Sequence, residues 1–163
     1  MKEAYIDATF SPAKRGAGVG PTKKGKGIKL MVIVEGNGYP IAPRLESASP
    51  GESTLVEDTI HSKIIENLPS KLIGDKAYDN DKLDEILLNK YGIELIAPNR
   101  KNRGKTQDDR PLRRHRRRWK VERFFSWLQS YRHIVTRYDV YVENYFAMIQ
   151  LACSMIFLNL ILR

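Results

Sequence analysis

The sequence predicts an α/β protein: a five-stranded mixed sheet with helices on both faces, in the element order β-β-β-α-β-α-β-α-α. Three observations carry this prediction. Residues 3–11 alternate apolar and polar, two apolar runs flank Gly36-Asn37-Gly38, and from residue 54 onward helical and extended patterns take turns. A hairpin meander followed by alternating helices and strands closes as a mixed sheet covered on both sides.

In the first strand Ala4, Ile6, Ala8 and Phe10 face one way and Tyr5, Asp7 and Thr9 the other. Residues 12–27, PAKRGAGVGPTKKGKG, read as a loop rich in glycine and lysine. Residues 28–47 give the second and third strands, joined at the Gly-Asn-Gly turn. Pro50-Gly51-Glu52-Ser53 leads into an amphipathic helix over 54–67, with Ser53 as its N-cap and Leu55, Ile60, Ile64 and Ile65 on its apolar side. The fourth strand covers 71–75. A helix over 80–91 stops at Gly92, and the fifth strand, IELIAP, stops at Pro98. A basic stretch over 99–118, flexible in its first part, precedes helices over 111–131 and 142–162.

A chain of 163 residues, 42% hydrophobic and 9% aromatic, suits one folded domain with a real core. Cys153 stands alone, so neither a disulfide framework nor a cysteine metal knuckle is available, which fits a reducing cytoplasm. MKEAYIDATF lacks the apolar core of a signal peptide. The apolar run from Val140 to Leu162 is broken by Glu143, Asn144, Gln150 and Asn159, so a packed core helix is expected there, not a membrane span.

The net charge of +9 is localised. Between Asn99 and Arg123 stand 12 Lys/Arg and three acids, 12 − 3 = +9, which leaves 16 basic and 16 acidic side chains elsewhere. One strongly basic segment on an otherwise neutral chain is the electrostatic footprint of a polyanion partner.

Three carboxylates stand where something less costly would be ordinary. Asp7 interrupts a strand, although Asp is depleted there. Asp75 ends the fourth strand. Glu122 lies about 100° from Val121, on the shoulder of the stripe formed by Val121, Phe124, Phe125 and Leu128; Arg118 and Gln129 share that shoulder. Each acid alone has a plain structural reading: a polar strand end, a turn, an i,i+4 pair with Arg118. Three carboxylates gathered in one place repel, and a cation removes that cost. Oxygen ligands with positions left for water and phosphate suit Mg²⁺ or Mn²⁺, and two such ions can clamp an in-line phosphoryl displacement.

YIDATFSPAKRGAGVGPTKKGKGIKLMVIVEGNGYPI, LIGDKAYD and RRRWKVERFFSWLQSYRHIVTRYD together resemble the DDE transposases of prokaryotic insertion sequences. The resemblance runs from about Tyr5 to the end, with 75 − 7 − 1 = 67 and 122 − 75 − 1 = 46 residues between the acids. It implies a ribonuclease H-like core with the first Asp on the first strand, the second after the fourth and the Glu on a later helix. It implies Asp7, Asp75 and Glu122 as catalytic metal ligands, for cleavage of transposon ends and strand transfer into target DNA. Two departures stand out. Met1 is six residues ahead of Asp7, so the usual N-terminal end-binding region is expected to be absent, as in the second half of a split transposase. Of the Tyr, Arg and Lys that many relatives place around the Glu, only Arg118 is kept; His115 and Gln129 stand at the other positions.

Lys14, Arg15, Lys23, Lys24, Lys26 and Lys29 in the first loop, and Arg113, Arg114, Arg116, Arg117, Arg118, Lys120 and Arg123 near the Glu, are the candidate DNA contacts. Trp119, off the main stripe, is a candidate for stacking on an unpaired base. The partners implied are double-stranded DNA, a second copy of the chain, and the product of an upstream reading frame, in the cytoplasm at the nucleoid. The alternative function is a DNA-binding fragment without catalysis that regulates the full enzyme.

Overall fold

The computed structural model describes residues 1–100 and 112–162. The central strand is β1 (Glu3–Pro12), antiparallel to β3 (Gly25–Glu35) on one side and parallel to β5 (Lys71–Ile73) on the other. Beyond β5 lies β6 (Glu94–Ile96), parallel to it. The far edge of β3 is shared by β4 (Pro40–Ser47) and the short β2 (Gly20–Thr22), both antiparallel. Antiparallel and parallel pairing meet at β1, so the expected mixed sheet is present.

Among the described residues the sheet has six strands, against the five expected. The addition, β2, lies within the glycine- and lysine-rich stretch. It folds back through Lys23-Lys24 onto Gly25–Gly27, with Gly25 at φ 107°, a left-handed value that glycine accepts without cost. Gly-Pro-Thr carries no apolar alternation, so only the turn chemistry announced it.

The helices are α1 (Val56–His61), α2 (Asp81–Tyr91), α3 (Trp119–Gln129), α4 (Arg132–Val135) and α5 (Val142–Ile161). They cover both faces. Tyr5, Val32, Ile73, Phe124, Leu128, Tyr145 and Ile149 belong to one buried cluster, and Ala4, Ile6, Met31, Leu72, Ile60 and Leu87 to the other. Alternate residues of β1 thus feed opposite cores. Tyr5 faces α3 and α5, and Asp7, two residues on, points to that same side.

Several boundaries differ from expectation. The helix expected over 54–67 is a 3-10 turn, Glu52–Leu55, followed by the six residues of α1. Ser53 caps neither; Thr54 instead donates its hydroxyl to the Gly51 carbonyl at 2.7 Å. The helix stops because the Ile64 N–H leaves its axis to bond the Ile41 carbonyl of β4 at 2.8 Å. Ile64 itself is exposed. The second helix is as the sequence indicates: the Asn80 side chain accepts from Lys82 and Leu83 N–H, and Gly92 closes it at φ 67°. The helix expected over 111–131 starts at a residue outside the described ones, and the stretch expected to be flexible, about 99–109, lies outside them after residue 100; the described part of the helix is a 3-10 turn, His115–Arg117, and then α3.

The C-terminal helix packs on one side only. Tyr145, Ile149, Ala152, Cys153 and Ile156 are buried, while Met148, Leu151, Met155 and Leu158 are exposed. The expected core helix is therefore half a core helix, and no helix among the described residues is long and apolar enough to cross a membrane. Burial pushes the Cys153 thiol up to about 12, which leaves it an inert hydrophobe.

One buried cation ties the loop after β1 to the start of α5. Arg137, 1% exposed, donates to the carbonyls of Asp139 (2.9 Å), Ala17 (2.7 Å) and Val140 (2.9 Å). Gly16 lies against this guanidinium at φ 108°, and a Cβ there would strike the Val140 carbonyl oxygen. Gly16→Ala is expected to cost about 1–3 kcal/mol, from left-handed strain plus the collision; urea unfolding at the wild-type midpoint would contradict this.

Candidate active site

Asp7 sits in mid-β1, where its Oδ1 accepts the Ala8 N–H at 2.9 Å. Its Oδ2 accepts from Arg118 Nη1 at 2.6 Å, and Arg118 Nη2 donates to Glu122 Oε1, also at 2.6 Å. One planar guanidinium therefore spans two carboxylates contributed by β1 and α3. The fork geometry of arginine permits this, and a lysine ammonium would not reproduce it. Glu122 is the more exposed partner, with 53% of its side chain accessible against 17% for Asp7.

Asp75 lies just past β5, where Gly74 N–H still reaches the Ile96 carbonyl at 3.0 Å. Its Oδ1 accepts the Ala77 N–H at 2.7 Å and so caps the 3-10 turn Lys76–Tyr78. The plain turn reading of Asp75 therefore holds. Burial raises the Asp7 carboxyl above its ordinary value, and the Asp75 charge adds to the rise, against the Ala8 N–H and Arg118. The Asp75 charge thus acts on Asp7 at one end of the β1–β5 pair, and Arg118 stands between Asp7 and Glu122.

Three further side chains share this place. Burial raises the carboxyl of Glu52, with Asp7 and Asp75 adding to the effect and Lys29 opposing it. Burial and the Arg118 charge lower the His115 imidazole, while Asp75 and Glu122 act the other way; its Nε2 is buried without a hydrogen-bond partner. Burial, then the charges of Glu52, Asp7 and Asp75, keep Tyr78 protonated. Sequence reasoning missed Glu52 and Tyr78, because an acid before a helix is an ordinary residue at a first turn.

The profile of the transposase DDE domain family matches residues 3–157. The chain belongs to that family. It is 26% identical over 155 residues to the transposase assigned to insertion sequence element IS402 of Burkholderia cepacia, covering 90% of this chain and 70% of that protein. It also resembles the catalytic core domain of BIV integrase, at a TM-score of 0.45 and 16% identity, over 93% of this chain and 80% of that one.

In this transposase domain the predicted basic residues divide by environment. Arg114 and Arg117 pair with Glu3, at 2.7 and 3.4 Å. Lys120 donates to the Gly36 carbonyl and lies 5.4 Å from the Tyr5 ring centroid. Arg123 donates to the Asn37 carbonyl at 2.6 Å and stacks between Trp119 and Trp127, 4.7 Å from each. These side chains dock α3 onto the β3–β4 hairpin. Lys29 is half-buried and bonds the Pro50 carbonyl at 2.6 Å. Lys14, Arg15, Lys23, Lys24, Lys26, Arg113 and Arg116 are exposed, with no hydrogen bond or ion pair among the described residues. Trp119 is half exposed, one face covered by Arg123. Gln129 donates to Thr9 Oγ1 at 3.4 Å, tying α3 to β1 one turn beyond the acids.

The donor set is all carboxylate oxygen, which suits a hard divalent ion. Asp7 is buried and its carboxyl is raised, an environment in which a bound cation would favour the ionised form. Among the described residues, however, no three such side chains lie close enough to enclose an ion, because Arg118 holds the space between Asp7 and Glu122.

Proposed function

We propose that this transposase domain cuts the ends of an insertion element and joins the freed 3′-hydroxyl to target DNA, using Mg²⁺ or Mn²⁺, two ions in all, held by Asp7, Asp75 and Glu122. The observation that carries the reading is the bridging of Asp7 and Glu122 by one cationic side chain beside Asp75. A place that draws in a guanidinium is negative and cation-seeking. When bound, the divalent ions would lower the pKa of water and stabilise charge on the reacting phosphate.

The chain's own residues do the remainder. Asp7 is fixed by the Ala8 N–H and Asp75 by the Ala77 N–H, so both carboxylates are oriented before DNA arrives. Arg118, once released, has two N–H donors free for a phosphate oxygen pair. Lys14, Arg15, Lys23, Lys24, Lys26, Arg113 and Arg116 are free to neutralise backbone phosphates, which makes binding salt-dependent. Lys29, Arg114, Arg117, Lys120 and Arg123 belong to the same proposed DNA-binding set; each also holds a protein partner, and Arg117 keeps 61% of its side chain accessible. The whole of 1–163 acts as one catalytic domain on double-stranded DNA, as a homodimer on two ends, in the cytoplasm at the nucleoid.

The test is a Mg²⁺-dependent cleavage and strand-transfer assay on the element's own ends, with and without the upstream product. Asp75→Ala should abolish both products while DNA binding persists. Cleavage surviving that substitution would sink the proposed chemistry. Binding with no cleavage by the wild-type chain in either format would favour a regulatory DNA-binding fragment, consistent with the Arg118-filled site.

A further inference from the structure

The C-terminal helix carries two apolar stripes, and its own domain covers one of them. Tyr145, Ile149, Ala152 and Ile156 are buried in the cluster that holds Phe124 and Leu128 of α3. The second stripe is Tyr141, Asn144, Met148, Leu151, Met155, Leu158 and Leu162, in alternating steps of three and four residues. Every one of these is exposed. Tyr141 and Leu162 are the two caps of α5, so the stripe runs the full length of the helix. A mean step of about 3.5 residues is the period of a coiled-coil seam. Among the described residues, 10 of the 14 exposed large apolar side chains lie between Val135 and Leu162, so the exposure is concentrated and not scattered.

Charge decides what can lie there. From Asn144 to Leu162 there is no charged residue, in a chain with 28 basic and 19 acidic side chains. DNA and charged peptides find no counterpart on this face. A helix lying on a membrane surface would carry Lys or Arg along its polar side, and α5 has neither. A second copy of this basic chain meets no repulsion here. Beside the stripe, Ala147 and Ser154 are small and exposed, which lets two such helices approach closely. They also lack the charges by which coiled coils select an unlike partner. Residues 101–111, outside the described ones, read KNRGKTQDDRP and offer no apolar side chain but that of Pro111 as a cover.

Size and shape agree. A groove of about 210 Å³ runs between α4 and the stripe, lined by Tyr131, His133, Ile134, Met148, Leu151 and Met155. The 20 residues of α5 span about 30 Å, and the groove widens the face to about 20 Å, on the order of 600 Å² per copy. Two such faces reach about 1,200 Å², the lower bound for a specific interface.

We propose that the exposed stripe of α5 pairs with the same stripe of a second copy across a two-fold axis, with partner side chains entering the groove beside α4. The proposal deepens the homodimer of the proposed function and rests on it for the need of two copies. Because α5 packs on α3, pairing along it braces the helix that carries Glu122 in each copy.

Sedimentation equilibrium of the full chain from about 1 to about 100 μM reads this without any turnover, and should show a reversible monomer–dimer equilibrium. Leu151→Glu with Met155→Glu should weaken association at least about 100-fold, as should Leu151→Lys with Met155→Lys. An equimolar mixture of these two oppositely charged chains should recover the dimer, whether the helices run parallel or antiparallel. That recovery, with thermal melting of each chain, separates a lost contact from a lost fold. Leu158→Glu alone is the milder probe if a double variant does not fold. Leu88→Glu is the control: Leu88 is 58% exposed on α2, whose buried side chains belong to the opposite core, and its replacement should leave association unchanged. A wild type that stays monomeric throughout, or a dimer that the seam charges leave intact, overturns the proposal. If the chain is monomeric yet cleaves its ends in Mg²⁺, the seam falls and the cleavage reading stands. If it dimerises as expected and cleaves nothing, the seam stands and the cleavage reading falls.

Discussion

Asp7→Asn is expected to lower DNA cleavage by about three orders of magnitude while leaving the fold no less stable. The loss corresponds to several kcal/mol of transition-state stabilisation, the scale a metal-bound phosphoryl site supplies. Stability should move the other way because burial, reinforced by Asp75, raises the Asp7 carboxyl above its ordinary value of 3.8. The folded state therefore resists the ionised form. The stability this group contributes is fully present below 3.8 and is lost as pH rises through the higher folded value. Asparagine carries no ionisation, keeps an oxygen for the Ala8 N–H, and leaves Arg118 its bond to Glu122. The variant's advantage should thus be largest at neutral pH and shrink on acidification, as thermal melting over a pH series would read. Retained cleavage, or a variant that melts several degrees below wild type at neutral pH, would contradict this account. A site that costs stability in order to work is the usual pattern for buried functional acids.

Arg137→Met is expected to destabilise the domain by about 3–5 kcal/mol, the range found when one side of a buried charged network is removed. Methionine matches much of the volume but donates nothing, so the carbonyls of Ala17, Asp139 and Val140 lose their partner inside the protein. The backbone bond from Arg137 N–H to the Pro12 carbonyl, 2.8 Å, would remain, so the loss falls on the side-chain network. The urea midpoint should drop sharply, with little change in slope. A midpoint within 0.5 kcal/mol of wild type, the scatter of ordinary surface substitutions, would show that these carbonyls find water as readily as they find the guanidinium.

Much of the fold was legible because its signals were local. The alternation in β1, the Gly36-Asn37-Gly38 turn, the Asn80 cap and the Gly92 stop each follow from a few neighbouring side chains. What escaped depended on contacts distant in the chain. The Ile64 N–H turned to β4, ending a helix whose periodicity ran on. A second apolar face on α5 stayed exposed, which a count of apolar residues does not distinguish from a buried one. At the site, the placement of Asp7 on β1, Asp75 after β5 and Glu122 on α3 follows the expected order. Glu52 and Tyr78 did not announce themselves, because their meeting depends on two 3-10 turns brought together across the sheet. Arg118 was expected beside Glu122 at helical spacing; its second bond, to Asp7 111 residues away in the chain, was beyond any local pattern.

The guanidinium between Asp7 and Glu122 also has a mechanical consequence. Asp7 stands in mid-β1 and Glu122 on α3, so the pair of bonds that balances their charge pins the start of that helix to the middle of the sheet. Whatever draws Arg118 away frees two acids and loosens one helix in the same event.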